Sequence, residues 1–374
     1  MDIPIIIKRI TLHYLSMELK NPFTTSFGTV KNREMIIVEM IDQEGAIGWG
    51  ECVAFREPWY TEETLHTAAH MMKDFLIPKL MRQPIHHPDE LQQLFSPIRK
   101  NPMAKSALEG AVWDLYAKKN NISLSQALGG TKQEIDTGIS IGLQSSDEEL
   151  FHMIDHSLEQ GYKRIKLKIK PGQDVSLIRK VRHKYPQLPI MADANSAYSF
   201  EDIERLKSLD EYKLMMIEQP LRFDDIYEHA MLQQQMSTPI CLDESIQSFE
   251  NAKHAIALGS CKVINLKIGR VGGLSEAVKI LQLCEANNIS VWCGGMLESG
   301  ISRAHNIALA SMPQVNLPGD ISSSSHYWAQ DITIPEVIVQ NGIIQVPDQA
   351  GMGFEVDRHW LTHYSTHKES FTSK

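Results

Sequence analysis

Between about residue 134 and residue 320, short apolar runs alternate with amphipathic stretches in a repeating order. Candidate strands are 138–142, 164–169, 189–194, 214–218, 239–243, 263–268, 290–294 and 315–319. Helical periodicity fills the intervals, most clearly at 200–209, 249–258, 273–287 and 301–312. Runs such as LMMIEQP and VINLKI are apolar on both faces, the pattern of strands buried in a parallel sheet. Eight such strands with returning helices predict an α/β barrel, whose active site lies at the carboxyl ends of the strands. The alternative, an open doubly wound sheet, would be expected to carry a glycine-rich phosphate turn after an early strand, and none is present.

The flanks follow another pattern. Alternating stretches at 5–18, 35–42 and 46–54, with a loop at 21–29 and the turn Gln43-Glu44-Gly45, read as an antiparallel meander. Helices follow at 61–81, opened by Thr61-Glu62-Glu63-Thr64 with its N-cap and early negative charge, and at 102–120. Strands followed by helices describe an α+β module. Strand-like pieces at 332–339 and 343–346 are expected to pack back on it. The expected division is an α+β domain over residues 1–125, a barrel over 126–325 and a returning segment over 326–374.

Composition narrows the functions. The chain has 374 residues, 43% hydrophobic and 22% charged, enough for a large core and a second domain. Its 37 basic and 46 acidic residues are scattered and give a net charge of −9, which argues against nucleic acid or an anionic membrane as partner and favours a small-molecule substrate. The first residues read as a strand, no secretory leader is expected, and no run approaches the ~18 apolar residues of a membrane span. Five cysteines, odd in number and without paired metal-ligand spacing, predict reduced thiols and a cytoplasmic location. A homo-oligomer is expected.

Candidate chemistry sits on the repeat itself. Lys168, Asp193, Glu218, Asp243 and Lys267 lie near the ends of successive predicted strands, at intervals of 25, 25, 25 and 24 residues. One acid at such a junction is readily a helix N-cap. Three in register would repel one another, and a cation is the simplest compensation. Oxygen-only donors favour Mg²⁺, with Mn²⁺ a substitute, and no organic cofactor is expected. Asn195 and Glu244 stand next in sequence to orient the ligands. Lys166 shares the face of Lys168 and is expected to lower its pKa, as Arg270 would for Lys267. Lys170, beyond the strand end, reads as a surface charge. Amines flanking a metal-bound carboxylate suit removal of the adjacent C–H proton. A Schiff-base aldolase would use one strand lysine but would leave the three acids without a role.

The segments KLKIK, MADAN, MIEQP, LDES and NLKIGRVGG, with GWGECVA near the start and WCGGMLESGISRAHN near the end, resemble the enolase superfamily in its muconate-lactonizing-enzyme subgroup. More narrowly, PWYTEET, GGMLESGISRA and PGDISSSS are similar to the o-succinylbenzoate synthase and N-succinylamino acid racemase family. The resemblance covers nearly the whole chain. It implies an α/β fold, a modified TIM barrel (β/α)7β under an α+β capping domain. It implies Asp193, Glu218 and Asp243 as magnesium ligands and Lys168 and Lys267 as acid/base lysines, with a small-molecule carboxylate as substrate. The activities it implies are dehydration to 2-succinylbenzoate and racemisation of N-succinylamino acids; no loop signature points to muconate cycloisomerase or dipeptide epimerase activity. Ile268 departs from the proline that many relatives carry after the second lysine. Substrate choice is expected from Phe23, Thr25 and Ser26, from Phe55 and Tyr60, and from Met296, Leu297, Glu298 and Ser299. Trp292, Cys293 and His305 read as packing residues.

Overall fold

A computed structural model describes residues 4–24, 29–142, 144 and 146–373. The amino-terminal meander forms as its alternation predicts: β1 (Ile7–Thr24), β2 (Thr29–Asp42) and β3 (Ile47–Cys52) are antiparallel neighbours. Helix α1 (Pro102–Lys119) lies directly on β3. Two glycines allow that approach: a Cβ at Gly48 would stand 2.1 Å from the Ala111 carbonyl oxygen, and one at Gly50 2.0 Å from that of Ala107. Pro102 opens α1, and the Glu63 carboxylate accepts from the Met103 and Ala104 N–H groups at 2.7 and 2.9 Å, satisfying donors that a helix start leaves free. Burial, with a smaller push from the adjacent Glu62, outweighs those hydrogen bonds and raises the Glu63 carboxyl to about 7.

The repeat builds a parallel sheet of seven strands in consecutive order: β4 (Gly138–Ile141), β5 (Arg164–Lys168), β6 (Ile190–Asp193), β7 (Ile217–Glu218), β8 (Ile240–Leu242), β9 (Val263–Leu266) and β10 (Ser290–Cys293). Consecutive order has no switch point, which removes the doubly wound alternative. The expected eighth strand, 315–319, closes the ring through isolated parallel bridges, Val291 to Val315 on one side and Thr137 to Gly319 on the other, rather than through a ladder. Inside the ring, Met191, Met216, Cys241, Val263 and Trp292 form a packed plug. Helices α2 (Leu274–Ala286) and α3 (Gly300–Ala310) follow β9 and β10.

The sequence pattern does not predict the last strand, β11 (Ser365–Thr372), which pairs antiparallel with β1 from Arg9 opposite Thr372 to Leu15 opposite Ser365. STHKESFT is polar and lies at a sheet edge, so it lacks the apolar alternation by which strands are recognised. Capping sheet and barrel are joined by buried polar groups. Glu109 on α1 accepts from the Leu274 and Ser275 N–H groups at the start of α2, Glu51 on β3 accepts from Ser299 and Ser302 at the start of α3, and Arg33 on β2 donates to the Leu297 carbonyl at 2.9 Å. No helix among the described residues is long and apolar enough to cross a membrane. All five cysteines are free and buried.

Candidate active site

Register explains the 25-residue rhythm. Lys168 pairs with Asp193 across β5 and β6, and Asp193 with Glu218 across β6 and β7, so the three form one cross-strand row at the carboxyl ends. Glu218 pairs in turn with Cys241, which puts Asp243 two residues further along its own strand, beyond the end of β8. Lys267 follows β9 directly. The strands thus deliver all five charges to one mouth, and Asp193, Glu218 and Asp243 are only 2%, 1% and 1% exposed.

Each acid is met by a cation. Lys168 Nζ donates to Asp193 Oδ2 at 2.6 Å and to Asn195 Oδ1 at 2.5 Å. Lys166 Nζ lies 2.5 Å from Asp320 Oδ2, 3.2 Å from Glu218 Oε2 and 3.4 Å from Asp193 Oδ2. Lys267 Nζ donates to Asp243 Oδ2 at 3.0 Å and to the Tyr60 hydroxyl oxygen at 2.9 Å. Arg270 pairs with the other Asp243 oxygen and donates to the Tyr60 oxygen, also at 2.9 Å, and to the carbonyls of Ile246 and Asn265. Glu244 accepts from Asn195 Nδ2 at 3.3 Å.

Protonation follows from these partners. Burial and the Asp193 charge push the Glu218 carboxyl up to about 8, and burial with Asp243 pushes Glu244 up to about 7. For Asp193 and Asp243 burial acts in the same sense, but their lysine and arginine neighbours outweigh it and hold both below the usual carboxylate range. Burial and, as expected, Arg270 pull Lys267 down, but Arg270 does not decide the outcome: Asp243 and Tyr60 prevail and the net shift is upward. Lys166 is likewise raised, its burial outweighed by Asp320, Glu218 and Asp193, and it stays an ammonium.

Among the described residues no three acid, histidine or cysteine side chains already stand as a preformed cation cage, since the acids spend oxygens on amines and a guanidinium. The donor set nevertheless fits a hard divalent cation. It is buried and made of oxygen, Asp193 and Asp243 both oppose ionisation of Glu218, and Glu244 Oε2 is buried with no hydrogen-bond partner.

The candidate substrate contacts divide into groups. Tyr60 reaches the site through its hydroxyl, held between Lys267 and Arg270. Phe55 packs on the Arg33 guanidinium, 4.3 Å from its ring centroid, and on Trp59. Leu297, Glu298 and Ser299 are 3%, 3% and 0% exposed. Their polar atoms are taken up by Arg33, Asn306, the Met296 N–H and Glu51, because this stretch caps α3 and seats the capping domain. Phe23 pairs through its backbone with Val30, and Thr25 and Ser26 lie outside the described residues. A cavity of about 230 Å³ opens beside Lys168, lined in part by Gln144, Gln173, Ser176 and Lys180. His305 is buried on α3 against Gly110 of α1, and desolvation lowers it to about 4, so it is a neutral packing group.

Three groups of the site escape the sequence pattern, Asn265 and Arg164 buried and Asp320 half-buried. Asn265 Nδ2 donates to Glu218 Oε1 at 2.7 Å, Arg164 lies over the Trp292 ring at 4.5 Å, and Asp320 pairs with both Arg164 and Lys166. The available signal was the period of two along β5, which places Arg164 on the face of Lys166 and Lys168.

Residues 9–129 match the mandelate racemase / muconate lactonizing enzyme N-terminal domain, and residues 151–360 the enolase C-terminal domain-like family. The chain is 56% identical to an o-succinylbenzoate synthase of Geobacillus stearothermophilus over 98% of this chain and 97% of that protein. It is 43% identical to an N-succinylamino acid racemase of Thermus thermophilus over 91% and 92%. The crystal structure of an enolase superfamily member from Listeria innocua superposes with a TM-score of 0.97 at 45% identity, covering 99% of this chain and all of that one. With both halves matched and relatives this close along nearly the full length, the chain belongs to the enolase superfamily, in the family of the o-succinylbenzoate synthases and N-succinylamino acid racemases.

Proposed function

We propose that this chain is an o-succinylbenzoate synthase that dehydrates 2-succinyl-6-hydroxy-2,4-cyclohexadiene-1-carboxylate to 2-succinylbenzoate in menaquinone biosynthesis. The observation that carries the reaction class is the placement of two lysines. Lys168 ends β5 and Lys267 follows β9, four strands on in a ring that an eighth segment closes, so they approach from opposite sides of the three acids. The close relatives carry the choice of substrate.

Asp193, Glu218 and Asp243 would hold Mg²⁺, or Mn²⁺ in its place. When bound, the cation would supply stabilisation for the charge that builds on the substrate carboxylate as the neighbouring proton leaves. Lys168, as the free amine, takes that proton; as the ammonium it then returns a proton to the departing hydroxyl on the same face, and water leaves. Aromatisation of the ring drives the second step. Lys267, kept charged by Asp243, stands beside the developing anion, and Tyr60 fixes its position from the capping domain. Lys166, raised and locked among acids, is a fixed positive charge rather than a base.

Purified chain with Mg²⁺ and the cyclohexadiene should yield 2-succinylbenzoate and one equivalent of water; unchanged substrate would refute the assignment. Racemisation of N-succinylamino acids is a second reading, favoured by the opposed lysines and by relatives of that name. It requires loss of optical rotation with α-deuterium uptake when one enantiomer is incubated in heavy water.

A further inference from the structure

Beneath the mouth lies a group of charges that the dehydration leaves unused. Asp320 follows the segment that closes the barrel, and its N–H donates to the Cys293 carbonyl at 3.0 Å, which ties its backbone to the end of β10. Its two carboxylate oxygens go to different cations, Oδ1 to the Arg164 guanidinium and Oδ2 to Lys166 Nζ at 2.5 Å. Both cations are buried, with side chains 0% and 7% exposed, and both face the Trp292 ring, at 4.5 and 5.0 Å from its centroid. The indole offers no anion, so Asp320 is the counter-ion on that side.

The alternative partners of Lys166 are Glu218 at 3.2 Å and Asp193 at 3.4 Å, two of the three proposed metal ligands. An ammonium that lost Asp320 would have only those two carboxylates for its charge, because an unpaired buried cation is costly. It would then compete with a divalent cation for the same oxygens. We infer that Asp320 is a positioning residue: anchored on its other oxygen by Arg164, it draws Lys166 to 2.5 Å, closer than the 3.2 and 3.4 Å contacts to Glu218 and Asp193, and so weakens that amine's competition with a divalent cation for those two acids. The inference rests on the reading of those two acids as metal ligands.

The test is Mn²⁺ titration, followed by electron paramagnetic resonance or calorimetry, of the parent chain, D320N, K166M and the double variant. D320N should bind Mn²⁺ about tenfold to a hundredfold more weakly, the range typical of groups that orient metal ligands. Adding K166M should restore binding toward that of the parent, because the competing amine is gone. A purely structural role for Asp320 would lower the melting temperature without such rescue. D320N binding Mn²⁺ as tightly as the parent would overturn the inference and leave the metal reading standing. A parent chain that binds no Mn²⁺ would overturn the metal reading and the inference with it. Should D320N fail to fold, the double variant against K166M decides: equal affinities are expected, and a tenfold loss on removing Asp320 there would refute the competition.

Discussion

At the level of single residues, the two lysines have unequal surroundings and so unequal consequences when removed. Lys168 is partly open, with 27% of its side chain exposed, and bonds only to groups of its own rim. Lys168→Ala should fold normally and lower dehydration by about a hundredfold to ten-thousandfold, the usual contribution of a positioned acid/base group, as read by product formation. Lys267→Ala should retain deuterium exchange at the α-carbon of one N-succinylamino acid enantiomer and lose it for the other, since only one face keeps a base; exchange of both enantiomers would contradict the opposed placement. The five charges of the row were legible because a strand-plus-helix repeat keeps its period in sequence. Asp320 and Asn265 were not, because their partners lie 154 and 47 positions away and nothing local marks them.

At the level of elements, the start of α2 couples the two domains. The Glu109 carboxylate accepts from the Leu274 and Ser275 N–H groups, and burial raises it from 4.5 to about 7. A carboxyl raised on folding binds its proton more tightly in the native state, so its contribution is fully present below about pH 4.5 and is lost as pH rises through about 7. Thermal melts should therefore show a stability decline across that window that flattens in Glu109→Gln. Gly273, at φ +135°, completes the joint: a Cβ there would stand 2.1 Å from Glu109 Oε2. Gly273→Ala should cost at least about 1–3 kcal/mol through backbone strain alone, seen as a lower melting temperature. Sequence pattern found the elements that bury an apolar face; β11, polar at a sheet edge, had no such face to reveal it.

At the level of the whole molecule, the chain's last stretch forms the outer strand of the capping sheet and covers β1. Deleting residues 365–374 would leave β1 as an open edge, and an unpaired edge invites association. The truncated chain should melt earlier and show concentration-dependent light scattering. Chelation should abolish dehydration reversibly, with Mg²⁺ or Mn²⁺ restoring it; a turnover that survives chelation would point instead to the Schiff-base chemistry of a single lysine. The sequence by itself determined the barrel, the meander and the row of five charges, because hydrophobic period and strand spacing are local properties that one chain displays directly. The tertiary structure alone decided which cation holds which acid, that Tyr60 serves Lys267, that Leu297 to Ser299 seat the capping domain, and that Asp320 belongs beneath the site. Those relations depend on distances between residues far apart in sequence, and on burial that turns ordinary charges into strongly coupled ones.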